Sequence, residues 1–311
     1  MKKYQCIVHA HRIIIVTAGL FLTACATSGP EVALDSEPLI KPNNSLVNYQ
    51  VISERKLSAD GVDKGLDSYQ LIKRFGGEKS IESPDLYSNN HPGEKHIYEA
   101  SDNIVGDHFV FTMHKEHDRD RDVASIKDRQ RNEIKAYDGS SRDLKAYKHD
   151  IFTYSWKFKL NEEITLSKNF GHFFQLKAVD GGEGAPILTI SGRDNKGEWL
   201  EVIHRIHGET AKLKKVPLAP FKGRWLQIDC FVNYRNNGQL TLHITDIVNN
   251  QRLLDLSLDD IDMLRGEKSS DFVRPKWGIY RSLRSQDMLR ADEEKVFFAD
   301  FIVQRLQQFN Q

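Results

Sequence analysis

Three cysteines in 311 residues, Cys6, Cys25 and Cys230, are too few for a disulfide framework, so a small fold held by staples is excluded. Charge of one sign is lacking too. Lys plus Arg and Asp plus Glu both number 44, and this balance gives no electrostatic reason to expect a nucleic-acid partner. Any preference for an anion has to come from local patterning. Neither a P-loop nor a dinucleotide-binding glycine pattern occurs, no internal repeat is visible, and no long segment keeps a helical period. What remains is a chain long enough to bury a substantial core, built mostly of short strand-like runs.

One apolar stretch stands apart. Lys2, Lys3 and Arg12 precede Ile13 to Leu22, and Leu22-Thr23-Ala24-Cys25 follows at once. That is the charged, hydrophobic and small-residue order of an export signal, and the run is too short for a spanning helix. Its ending resembles the bacterial lipoprotein signal, in which Cys25 would be lipidated and become the mature N-terminus. Ala26 stands where an inner-membrane retention signal usually carries Asp, so the resemblance implies an outer-membrane lipoprotein, periplasmic or surface-exposed. Residues 1–25 are therefore expected to be a signal peptide and 26–48, with Pro30, Pro38 and Pro42, a flexible tether. Residues 49–311 are expected to form one domain. Cys230, in an apolar run, reads as a small buried hydrophobe.

Runs such as His108 to Met113, Phe152 to Leu160, Ile187 to Ile190, Leu240 to Ile244 and Val296 to Val303 are separated by Gly, Asn and Asp clusters. Their spacing predicts an all-β, antiparallel sandwich of the jelly-roll type. The stretch 49–105 yields little beyond early strands and loops of the same domain.

Three segments carry polar side chains at strand spacing. Period two places Arg131, Glu133 and Lys135 on one face of a strand, Gln175 and Lys177 on one face of a second, and Lys276, Gly278 and Tyr280 on one face of a third. Asn132 falls on the opposite face and is a secondary candidate. If the three faces meet, they make a groove of cations, amides and a phenol, suited to an acidic polymer and to proton transfer. Arg131 and Lys135 would grip carboxylates, with Glu133 holding the cations. Gln175 and Lys177 would favour an enolate-like carboxylate. Lys276 and Arg281 would favour the Tyr280 phenolate, and Gly278 would let a ligand approach the backbone. His172 is a further candidate base. Taken singly, each segment is also explained by an ordinary half-solvated sheet.

Two other features have competing readings. Asp118, Asp120 and Asp122, among His114, His117 and interleaved cations, alternate as in a calcium loop, but a solvated, salt-bridged loop fits the arginines better. Trp199, Trp225 and Trp277 suit sugar stacking or a core.

In order, the three segments resemble those of jelly-roll polysaccharide lyases, the heparin lyase I-like and alginate lyase-like groups: an Arg-x-Glu strand, a strand with Gln followed two residues on by a basic residue, and a late Lys-x-Gly-x-Tyr strand. The resemblance spans roughly residues 105–305. It implies a concanavalin A-like sandwich that cleaves a uronate-containing polysaccharide by β-elimination. Arg131 and Gln175 would neutralise the carboxylate, and Tyr280 would move the proton. The alginate lyase-like pattern usually has His where this chain has Lys177, which leaves the base open among Tyr280, His172 and His114. A monomer is expected that requires no cofactor, with structural calcium as an option. The competing functions are a glycoside hydrolase on a similar sandwich, with Glu133 as one of its two carboxyls, and a lipoprotein that binds glycan without cutting it.

Overall fold

The computed structural model of the chain describes residues 37–40, 48–87, 93–121, 126–180, 182 and 184–309. The signal-peptide reading with Cys25, and most of the tether, lie outside these residues. In chain order the strands are β1 (Asn48–Leu57), β2 (Ile81–Glu82), β3 (Ile97–Asp102), β4 (Gly106–His114) and β5 (Arg129–Lys135). They continue with β6 (Ile151–Leu160), β7 (Gly171–Val179), β8 (Leu188–Asp194), β9 (Glu198–Ile206) and β10 (Glu209–Pro217). The last five are β11 (Trp225–Asn233), β12 (Gly238–Asp246), β13 (Arg252–Ile261), β14 (Phe272–Ser282) and β15 (Glu293–Phe309).

They form two antiparallel sheets. The eight-stranded sheet runs β13-β12-β11-β6-β15-β4-β3, with β1 also paired to β15; the seven-stranded sheet runs β10-β9-β8-β7-β14-β5-β2. The expected jelly-roll sandwich is the observed architecture. Aromatic rings interlock between the layers: Trp156 of β6 lies 4.5 Å from Phe174 of β7, and Trp277 of β14 lies 5.2 Å from Phe301 of β15. Burying a ring such as Phe174 contributes roughly 1.5–3 kcal/mol. Trp225 and Trp277 are fully buried here, so neither offers a face to sugar. Cys230 is buried as expected, and its surroundings push the thiol pKa up.

The stretch without a legible period holds a nine-residue helix, α1 (Ser68–Gly76). Asp67 caps it by accepting from the Tyr69 and Gln70 amides, while the Gln70 side chain accepts from the Asp67 amide. Tyr69, Ile72 and Phe75 face the core. Inside the presumed tether, Ile40 is buried with Tyr49, Val51 and Leu306, and the Leu39 amide donates to Gln304.

Two local irregularities shape the functional face. Gly278 has φ +144°, and a Cβ there would lie 2.1 Å from the Asn132 carbonyl oxygen. Its role is to let β5 approach β14 closely, rather than to admit a ligand. On β7, a register shift between His172 and Phe174 lets the consecutive Phe173 and Phe174 both face the core. That shift turns His172 to the same side as Gln175.

Candidate active site

Strand β14 lies between β5 and β7, so the three polar segments are neighbours in one sheet. The register sets Lys276 beside Lys135 and Gln175, Gly278 beside Glu133, and Tyr280 beside both Arg131 and His172. A cleft of about 560 Å³ opens over this face and is lined by Arg131, His172, Gln175, Lys177, Lys276 and Tyr280. Its lining also includes Glu82, Asp120, Arg121, Arg129 and Arg274, none of them anticipated.

The floor is a buried ionic network. Arg131 grips both carboxylate oxygens of Asp120, Nε at 2.8 Å and Nη2 at 3.1 Å, and its Nη1 lies 2.5 Å from Glu133 Oε2. Lys276 Nζ lies 2.7 Å from Glu133 Oε2 and 2.7 Å from Glu82 Oε2. The other Glu82 oxygen accepts from Lys135 Nζ at 2.6 Å, and Gln175 Nε2 donates to Glu133 Oε1. Burial would push the Glu82 carboxyl up in pKa, but Lys276, Arg131 and Lys135 together reverse this and hold it well below the usual carboxylate range. For Asp120, burial is likewise outweighed by Arg131 and Arg121. These carboxylates therefore act as fixed counter-charges and not as proton donors.

Above the floor lie half-buried groups with a solvent side. Tyr280 accepts a hydrogen bond from Arg129 Nη1 at 3.1 Å, and the Arg131 guanidinium carbon lies 3.7 Å from its ring centroid. With Arg129 as donor, the phenol's own hydrogen is available to a ligand. His172 lies against Phe170, ring centroids 5.0 Å apart and planes 17° off parallel, and its Nδ1 meets Ser191 Oγ at 2.7 Å. Burial, then Arg193, Arg131 and Lys276, lower its pKa to about 3, leaving a neutral imidazole of little basicity. Lys177 donates to the Gly184 carbonyl and lies 3.4 Å from that of Ala185. Burial, then the Arg265 cation, lower its pKa to about 8. Arg274 donates through Nη1 to the Ala136 carbonyl at 3.1 Å, while its Nε is unpartnered among the described residues.

Several expected site residues lie elsewhere. Arg281 follows Tyr280 on a strand and so faces the opposite side; it is buried, donates to Gln130 Oε1 at 2.9 Å, and touches neither sugar space nor phenol. Asn132 is also on that side, where its amide donates to the carbonyls of His96 and Thr112. Lys135 is tied to Glu82 and does not line the cleft, nor does His114. The aspartates of the 118–122 loop separate: Asp118 joins His96 and His114, while Asp120 joins Arg131. Both are buried, so that part of the loop is salt-bridged as expected but not solvated, and Asp122 lies outside the described residues.

The missed cations were within reach of the sequence. Arg129 and Arg274 continue by one step the same alternation that marks Arg131 and Lys276. Glu82 sits on a two-residue edge strand, which has no period to read.

The chain is thus a two-sheet jelly roll with a cation-rich cleft on one face. No protein-family model and no curated protein matches the chain. Solved structures do. The alginate lyase Aly36B superposes with a TM-score of 0.51 at 10% identity, covering 81% of this chain and 96% of its own. A double mutant of Aly36B in complex with an alginate trisaccharide gives 0.52 at 9% identity, covering 82% of this chain and 99% of that one. The PL-14 alginate lyase of Aplysia kurodai gives 0.51 at 11% identity, covering 80% and 97%. The chain thus has the fold of jelly-roll alginate lyases over four-fifths of its length.

Proposed function

We propose that this chain is a polysaccharide lyase that cleaves a uronate-containing polymer by β-elimination. The observation that carries the reading is the division inside the cleft: the carboxylates Glu82, Asp120 and Glu133 are buried in ion pairs, while a phenol, an amine and arginine donors face the open space. Elimination needs those groups. Hydrolysis normally needs two carboxyls across the scissile bond, one of them protonated, and ion-paired floor carboxylates fit that need poorly.

In the proposed step the substrate carboxylate meets the Arg274 guanidinium, which lines the cleft, with Arg129 and Arg121 at neighbouring sugars. Lys177, with its pKa lowered to about 8, removes the carbon-bound proton beside the carboxylate. The electron pair of that C–H bond becomes a carbon–carbon double bond as the bond to the departing glycosidic oxygen breaks. Tyr280 gives its proton to that oxygen. Water then returns a proton to Tyr280 and takes one from Lys177. Arg131 and Gln175, expected to touch the carboxylate, act chiefly from below by fixing Glu133 and Asp120, with Lys276 held on Glu133 and the Tyr280 ring against Arg131. His172 lines the cleft as a neutral hydrogen-bonding ring. The chemistry moves protons only and calls for no redox or organic cofactor.

The lipoprotein ending at Cys25 would hold such an enzyme at the cell envelope, where extracellular polymer arrives; loss of fatty-acid labelling in Cys25→Ser tests that part. For the reaction, fragment mass is decisive. Elimination leaves each new non-reducing end one water lighter than hydrolysis does, and fully saturated fragments would establish hydrolysis. Unchanged polymer length with saturable binding would leave a binding protein.

A further inference from the structure

On the far side of β5 from the cleft, three side chains that no part of the proposed reaction uses bring their ligand atoms together. His96 Nε2 lies 3.1 Å from Asp118 Oδ1 and 3.2 Å from His114 Nδ1, and His114 Nδ1 lies 3.4 Å from Asp118 Oδ2. The two imidazole rings stand edge to face, their planes 84° apart. A four-coordinate zinc with bonds of about 2.0–2.1 Å has ligand atoms about 3.3–3.4 Å from one another, so this triangle has the size of one face of such a site.

The surroundings match as well. His96 Nδ1 lies 3.2 Å from the Glu94 carbonyl and 3.5 Å from Asp85 Oδ1, two acceptors for a ring hydrogen on Nδ1, the tautomer that turns the Nε2 lone pair to the triangle. His114 Nε2 lies 3.5 Å from Glu293 Oε2. The carboxylate of Asp118 is steadied by the His114 amide, 2.5 Å from Oδ2. Two imidazole lone pairs and a carboxylate turned on one another repel unless a cation, or protons in its place, lies among them. Asp118 and the His96 side chain are fully buried, whereas the His114 side chain is 20% exposed, which gives an ion a way in.

We propose that His96, His114 and Asp118 bind one divalent transition-metal ion, of the class that imidazole and carboxylate ligands select, with zinc as the representative. The site is structural in placement. Asp118 stands two residues before Asp120, which grips Arg131 in the cleft floor, and its carbonyl accepts from Gln130 of β5 at 2.9 Å. A bound ion therefore pins the loop that supplies Asp120 and Arg121 to the cleft. Calcium, favoured by all-oxygen sites, fits this donor set poorly.

The test uses the untagged full chain, stripped with chelator and titrated with Zn(II) and, separately, Co(II). One equivalent is expected to bind, the cobalt form showing visible ligand-field absorption and both ions raising the melting temperature by several degrees. His114→Gln, at the surface end of the site, should lose the cobalt spectrum and the thermal shift. Glu293→Gln should weaken affinity by about 10-fold, as loss of a group that orients a ligand does. Failure of the stripped wild-type chain to take up a stoichiometric ion, or a cobalt spectrum unchanged in His114→Gln, would overturn the site and leave a hydrogen-bonded His–Asp–His cluster. Should His114→Gln not fold, the wild-type titration decides alone. None of these readouts depends on lyase activity.

Discussion

Arg131 and Tyr280 are cross-strand partners, and the Arg131 guanidinium lies 3.7 Å from the Tyr280 ring centroid while its nitrogens bind Asp120 and Glu133. One residue thus ties the buried charge network to the phenol that faces the cleft. Arg131→Ala would take a buried partner from both Asp120 and Glu133 and leave only Arg121 and Lys276 to balance them, at a cost of up to about 3–5 kcal/mol. Chemical denaturation should show it as a lower midpoint. Arg131→Lys should recover only part, because an ammonium cannot reproduce the two-pronged grip or the stacking.

Tyr280→Phe removes only the hydroxyl that would protonate the departing oxygen. Turnover should fall by roughly 10²–10⁴-fold. Oligosaccharide affinity, measured calorimetrically, should stay within a few-fold, since the ring and the Arg131 contact persist. Turnover equal to wild type would remove Tyr280 from the mechanism.

The pH profile reports on Lys177. Burial and Arg265 lower its pKa to about 8, so the free amine grows as pH rises through that value. A base must be unprotonated, so turnover should climb across the same range. In Lys177→Met the residual activity should lose that rising limb. A wild-type rate flat from pH 6 to 9, a window spanning about two pKa units below to one above Lys177, would exclude the lysine as base.

Arg274 is expected to contact the substrate carboxylate through a charge-assisted hydrogen bond worth about 1.5–3 kcal/mol. Arg274→Ala should accordingly raise KM by roughly 10- to 100-fold with a smaller change in kcat. Steady-state kinetics on one substrate is enough to see the split.

Gly278→Ala would set a Cβ 2.1 Å from the Asn132 carbonyl oxygen at a backbone φ of +144°. The strain should destabilise the fold by more than about 2 kcal/mol, visible as a lower melting temperature.

Much of this was legible in the sequence because a sheet converts alternation into faces. The alternation of Lys276, Gly278 and Tyr280, and of Arg131 with Glu133, put the right side chains on one side. Three physical effects hid the rest. The Phe173-Phe174 pair breaks the period, and only the resulting bulge brings His172 round to Gln175. Glu82 and Asp120 reach the floor from a two-residue strand and a loop, neither of which has a pattern to extrapolate. Proximity in the chain sets Arg281 beside Tyr280, but adjacent strand residues point to opposite faces. The helix at Ser68 carried a readable signal, Asp67 three residues before Gln70, too short to register as a period.

The most direct measurement is the ultraviolet absorbance of unsaturated uronate ends, followed over time with wild-type protein on a panel of acidic polysaccharides, alginate and glucuronan included, beside Tyr280→Phe. β-Elimination predicts growing absorbance on at least one polymer with wild type and almost none with the variant. Shortened polymer without that absorbance on every member of the panel would contradict a lyase.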